Sequence, residues 1–169
     1  MEYRIEDDFD VSADRYWEIF FSDEYNAGLW PALDIKRELL SFDRQGEGPS
    51  LRIVREQRLT PQREVPAFIK KLVSGAITYV ETNDFVAADS AMRTVTIPGF
   101  AADRITTTGT YRLVPLGPDR CKRVWEGVCE CRIPLLGGKV EKQLVDEVRE
   151  SYRRATVFTR KWIAEHLSK

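Results

Sequence analysis

Apolar and polar residues alternate at the start of the chain. Tyr3, Ile5 and Phe9 fall between Arg4, Glu6 and Asp8, the period of a strand with one buried face. Asp7 breaks that pattern. Val11-Ser12 then offers a helix start with Ser12 as N-cap, since a serine hydroxyl accepts a first-turn N–H. Trp17, Phe20 and Phe21 follow at helical spacing. A second short helix is expected from Asp23 to Trp30, stopped at Pro31.

Ile35 to Phe42 reads as extended, Gln45-Gly46-Glu47-Gly48-Pro49 as a turn and Leu51 to Leu59 as the next strand, which together predict a hairpin. Between Pro61 and Gly75, Phe68, Ile69, Leu72 and Val73 have the spacing of a short amphipathic helix with Lys70 and Lys71 outward, placed to act as a flap. Ile77 to Val86 and Ala91 to Ile97 predict another strand pair, and Pro98-Gly99-Phe100 a loop. Ile105, Thr107, Gly109, Tyr111 and Leu113 alternate with Arg104, Thr106, Thr108, Thr110 and Arg112. The turn Pro115-Leu116-Gly117-Pro118-Asp119 leads into a last strand in which Trp125, Cys129, Cys131 and Ile133 share one face, ended by Pro134.

The strongest single element follows Gly137-Gly138. From Lys139 to about Leu167, Val140, Leu144, Val148, Tyr152, Ala155, Phe158, Trp162 and Ile163 trace an apolar stripe at three-to-four spacing. Such a helix is about 40 Å long. One strand, two short helices, about six strands joined mostly by turns and one long amphipathic helix predict an α+β fold. In it a bent antiparallel sheet grips the C-terminal helix, the only element long enough to cover the sheet's apolar face. No repeat, low-complexity tract or linker divides residues 1–169, so one domain is expected.

Composition narrows the function classes. Of the 169 residues, 43% are hydrophobic and 31% charged, and the 26 basic and 27 acidic side chains leave a formal net charge of -1. That balance is globular and gives no whole-chain attraction for nucleic acid. Met1 to Asp8 lacks the apolar stretch of a secretion signal, and no run approaches the roughly 18 apolar residues of a membrane span, so a cytoplasmic location is expected. Cys121, Cys129 and Cys131 are an odd set, read as reduced thiols. Cys129 and Cys131 could share a strand face, but His166 is the only histidine, and no metal site is expected.

Val11-Ser12-Ala13-Asp14 at the first helix, Phe21-Ser22-Asp23-Glu24-Tyr25 between the short helices and Ile133 to Lys142 leading into the long helix carry a family likeness. In these stretches the chain resembles the START-like, or SRPBCC, superfamily of Bet v 1-type helix-grip proteins. The last stretch is similar to the DUF2505 family of unknown function and, more distantly, to VASt lipid-binding domains. The resemblance implies a cavity between sheet and helix for a lipid or other hydrophobic small molecule.

Alternation nominates Ile53, Arg55, Gln57, Tyr79, Glu81, Asn83, Thr107, Tyr111 and Trp125 as inward-facing, with Tyr152 and Phe158 from the helix. Arg55, Gln57, Glu81 and Asn83 carry the most information, because a polar group facing a core is costly unless paired or bound. The plain reading is that Arg55 and Glu81 pair with each other or turn outward. The functional one is that they anchor a polar head while aromatics hold an apolar body. Catalysis has little support, since no Ser-His-Asp or Cys-His set can be built around a single terminal histidine. The enzymatic alternative is a cyclase-, dehydratase- or hydrolase-like reaction, as known in the superfamily, with Glu81 as acid or base, assisted by Tyr79 or Tyr111. Gly137-Gly138-Lys139 lacks the spacing of a phosphate-binding loop, and no cofactor is expected. Phe68, Ile69, Phe100 and Trp30 are either ordinary packing or, at loop tips, a portal that makes transient membrane contact. Nothing in the pattern specifies an oligomeric state.

Overall fold

The computed structural model describes residues 1–167. Its strands are β1 (Glu2–Phe9), β2 (Ile35–Gln45), β3 (Arg52–Pro61), β4 (Tyr79–Val86), β5 (Ala91–Pro98), β6 (Ile105–Gly117) and β7 (Arg120–Cys131). Its helices are α1 (Ala13–Phe20), α2 (Asp23–Ala32), the single turn α3 (Ala67–Lys70) and α4 (Gly137–Leu167). All strand pairings are antiparallel, and the sheet order is β1-β7-β6-β5-β4-β3-β2. The first strand therefore pairs with the last. β1 and β2 form opposite edges, and α1 and α2 carry the chain from one to the other.

Local chemistry explains the helix starts. Ser12 Oγ accepts from the Arg15 N–H at 3.2 Å, and Ser22 Oγ accepts from the Tyr25 N–H at 3.3 Å, so each short helix has one of its orphan donors satisfied. α2 does not stop at Pro31 but runs to Ala32. A proline this near the end removes only one helical bond. The turn is completed by the Leu33 N–H on the carbonyls of Leu29 and Trp30, with Asp34 at a positive φ of 55°.

α4 is 31 residues long, roughly 46 Å, and lies against β7, β1 and α2. Val140, Val145, Thr156, Thr159 and Ile163 are buried. Tyr25 of α2 docks on it, its hydroxyl 2.6 Å from Thr159 Oγ1 and its ring 5.6 Å from that of Phe158. Among the described residues, no helix is long and apolar enough to cross a membrane.

The readings of the 61–75 segment and of Asp7 also need correction. The helix expected across Pro61 to Gly75 shrinks to the single turn Ala67–Lys70, because its apolar residues pack downward instead of covering a helical face. Ile69 is buried, and Phe68, Leu72 and Val73 pack around it with Ile77, Phe100 and Val140. The four aromatic or aliphatic side chains considered for a portal are likewise packed: Ile69 and Phe100 are buried, and Phe68 and Trp30 are partly buried. Asp7 does not interrupt β1, which is continuous from Glu2 to Phe9. It pairs in register with Arg123 of β7, and the two side chains form an ion pair.

Candidate functional site

Between the sheet and α4 lies a cavity of about 750 Å³. Leu144, Val148, Tyr152 and Ala155 of α4 line it. These positions of the apolar stripe remain only partly buried because they look into this space and not into packed side chains. Met92, Ile105 and Trp125 contribute from the sheet, and Leu29, Trp30 and Leu33 from α2 and its end. The segment 62–76 closes one side. Exposed Gln62, Glu64, Lys70 and Gly75 are part of the lining, so the cavity reaches the surface beneath that segment.

The position of Trp125 depends on two glycines. Gly109 of β6 and Gly127 of β7 stand directly opposite each other. A Cβ on Gly109 would come within 2.4 Å of the Trp125 ring, and one on Gly127 within 2.6 Å of the Tyr3 ring and 2.7 Å of Trp125 Nε1. Bare backbone at this pair lets both rings settle against the sheet. Tyr152 then stands over Trp125 with ring centroids 5.6 Å apart.

Tyr16 of α1 and Tyr111 of β6 share a hydrogen bond of 2.5 Å. Burial pushes the pKa of both phenols well above the ordinary tyrosine range, and the Tyr79 phenol is pushed up to about 12 by the same cause. Arg123, only 1% exposed, lies beside this group. It reaches Asp7 and Thr156 Oγ1, and its guanidinium stacks 4.7 Å from the Tyr152 ring centroid. One side chain thus ties β1, β7 and α4 together.

A second polar network runs along the inner faces of β2, β3 and β4. Arg37 Nε donates to Gln57 Oε1 at 2.8 Å, and Gln57 Nε2 donates to Glu81 Oε1 at 3.0 Å. From the other side, Arg55 Nε donates to Asn83 Oδ1 at 2.9 Å, and Asn83 Nδ2 donates to that same Glu81 oxygen at 3.0 Å. Two arginines therefore flank one carboxylate, each separated from it by an amide. The expected direct pairing of Arg55 with Glu81 is not what forms. Strand register places Arg55 opposite Asn83 and Gln57 opposite Glu81, so the nearest partner of Arg55 is the amide. Burial pulls the Arg55 pKa down to about 10, opposed by the charge of Glu81, and the guanidinium stays charged at neutral pH.

Of the residues nominated from the sequence, Arg55, Tyr79, Glu81 and Thr107 line the cavity, as do Tyr111, Trp125 and Tyr152. Gln57 and Asn83 are fully buried and hold their neighbours without lining it. Ile53 is core, and Phe158 packs on Tyr25 and over Gly28. His166 lies away from the cavity, stacked on Trp162 at 4.0 Å. The three cysteines are buried, and burial raises the Cys121 thiol to about 11.

Sequence reasoning missed Arg123, Tyr3, Tyr16 and the Arg63 contact. A signal for Arg123 existed: it shares the inward parity of Cys121 and Trp125, as Asp7 shares that of Tyr3 and Ile5. Opposite charges at apolar positions of two strands suggest a pair, but only if those strands are known to be neighbours. Arg63 Nη2 donates to Ser151 Oγ at 3.1 Å and lies 3.3 Å from Glu147, so the segment 62–76 is fastened to α4 beside the cavity.

The family model described as "Protein of unknown function (DUF2505)" matches residues 4–163. No curated protein matches the chain. Among solved structures, the Zhui aromatase/cyclase from Streptomyces sp. R1128 is similar at 12% identity and a TM-score of 0.62, over 99% of this chain and 97% of that one. A START superfamily protein from Mycobacterium smegmatis is 18% identical with a TM-score of 0.58, over 92% and 94%. Norcoclaurine synthase from Thalictrum flavum is 17% identical with a TM-score of 0.60, over 98% and 87%. These likenesses establish the helix-grip fold.

Proposed function

We propose that this protein, which belongs to the DUF2505 family, binds or transfers a lipid or other hydrophobic small molecule between its sheet and α4. The observation that carries the reading is the cavity of about 750 Å³. Protein interiors are otherwise close-packed, and small-molecule sites run from about 300 to 1,000 Å³, mostly apolar with a few placed polar groups. Here aliphatic and aromatic walls meet the polar edge formed by Arg55 and Glu81. The fold likeness to a START superfamily protein and to an aromatase/cyclase supports a small-molecule role.

The test is to fill the space. Ala155→Trp projects an indole from α4 into the cavity. It should abolish binding of a fluorescent apolar probe such as 1-pyrenebutanol while leaving the circular dichroism spectrum of the wild type. Native mass spectrometry of the purified wild type should show a co-purifying apolar compound that the variant lacks. Undiminished probe binding by a folded variant would overturn the reading.

A second reading is favoured by one detail. Both amides donate to Glu81 Oε1, which leaves the other carboxylate oxygen out of those bonds and available to accept a proton from a substrate. In an enzyme of this kind Glu81 would be the acid or base, and two solved structures of the same fold are named as a cyclase and a synthase. Glu81→Gln should then lower turnover of an identified aromatic or polyketide-like substrate by about 100-fold or more with its binding preserved. Unchanged turnover removes Glu81 from the chemistry.

A further inference from the structure

Among the three arginines that line the cavity, Arg55 is the one with no carboxylate in direct contact. Arg123 has Asp7, and Arg63 has Glu147. Arg55 is 2% exposed. Its Nε meets the Asn83 amide oxygen, one Nη nitrogen makes a long 3.5 Å contact to Asn26 Oδ1, and the rings of Phe20 and Phe21 stand 5.0 and 5.2 Å from its guanidinium carbon. Its other Nη nitrogen makes no hydrogen bond to the described residues. Every direct partner is neutral.

The network behind Arg55 does not cancel this charge. Arg37, Gln57, Glu81, Asn83 and Arg55 form one chain of hydrogen bonds containing two guanidinium groups and one carboxylate, so it carries a net charge of +1. Exposed Asp23 lies near Arg37 at the outer end and moderates the charge there. The inner end, where Arg55 borders the cavity, has only amides and aromatic rings. A guanidinium in an apolar setting is stabilised most by a planar anion that takes two of its N–H groups at once.

We infer that the cavity is built for an acidic amphiphile: a molecule with an apolar, ring-bearing or chain-like body and a carboxylate head seated on Arg55. This rests on the cavity-binding reading above and specifies the ligand's charge. The Phe20 and Phe21 rings and Tyr111, at 5.3 Å from Phe20, would flank the head, and the body would extend along Met92, Trp125 and Leu144 under α4. Asn83 is a positioning residue, holding Nε so that the free Nη edge faces inward.

The experiment compares two probes of equal body, 1-pyrenebutanoate and 1-pyrenebutanol, by fluorescence titration of the intact protein at pH 7. The acid should bind about ten- to a hundred-fold more tightly, the range of one charge-assisted contact. Arg55→Met should bring the two affinities together by weakening the acid alone. Arg55→Gln, which removes the charge but keeps an amide N–H for the Asn83 oxygen, should do the same and covers the case in which Arg55→Met does not fold. Equal binding of acid and alcohol by the wild type overturns the acidic-ligand inference and leaves the cavity reading standing. Failure of both probes to bind counts against the cavity reading itself.

Discussion

Arg55 and Glu81 are joined through a single side-chain amide: Asn83 accepts from Arg55 Nε at 2.9 Å and donates to Glu81 Oε1 at 3.0 Å. Both ends of that amide are spent on charged groups inside the protein. Replacing it with an apolar group of similar size, Asn83→Leu, leaves Arg55 Nε without its acceptor and takes from Glu81 one of its two amide donors. A loss of about 3 kcal/mol in urea-unfolding free energy is expected, and a loss below about 0.5 kcal/mol, typical of surface changes, would show the relay to be dispensable.

The Asp7–Arg123 pair gives a second, separable prediction. Arg123 is 1% exposed, so its attraction to Asp7 is little screened. A double-mutant cycle with Asp7→Asn and Arg123→Met should return a coupling of about 2 kcal/mol, within the range for contacting charged groups. Independent effects of the two changes would place the pair with ordinary surface ion pairs.

Gly109 under Trp125 and Gly138 at the start of α4 predict opposite outcomes. Gly109→Val puts a Cβ 2.4 Å from the indole and should cost about 2 kcal/mol or more through overpacking, with a shift in tryptophan emission as the ring is displaced. Gly138→Ala, within α4 and with nothing inside 4 Å of the new methyl, should be neutral or stabilise by up to about 1 kcal/mol. Thermal unfolding of the two variants measures both signs.

All six tyrosines are held protonated beyond the ordinary phenol range, in each case chiefly by burial. Tyr3 and Tyr79 are raised to about 12. Because the folded-state pKa lies above the unfolded one, the stabilisation is full below about pH 10. It is lost as pH rises toward and through about 12. Phenolate absorbance near 295 nm should therefore stay low past pH 10 and rise together with loss of the far-ultraviolet dichroism signal. Titration of several tyrosines near pH 10 in a folded protein would contradict their placement.

Arg63 fastens the segment 62–76 to α4 through Ser151 and Glu147. Arg63→Ala should speed amide exchange across residues 64–76 while leaving β6 and β7 protected, and it should raise the on- and off-rates of a cavity probe together. Unchanged exchange in that segment would mean that Ile69 and its apolar neighbours hold it unaided.

The sequence by itself determined the order of elements, the Ser12 cap, the inward face of β6 and the gripped C-terminal helix, because period-two and period-3.6 patterning and capping are local and survive without tertiary knowledge. It also marked Arg55, Gln57, Glu81 and Asn83 as polar residues turned toward the core. Strand pairing was decided by the tertiary structure alone. Only with β1 beside β7 does Asp7 meet Arg123, and only the β3–β4 register hands Arg55 to Asn83 instead of Glu81. The cavity was decided there too, since apolar positions that fill a core and those that line a space share one pattern in the chain. What separates them is the distance between the sheet and α4, set by the glycine pair, the packed aromatic rings and the two buried arginine networks.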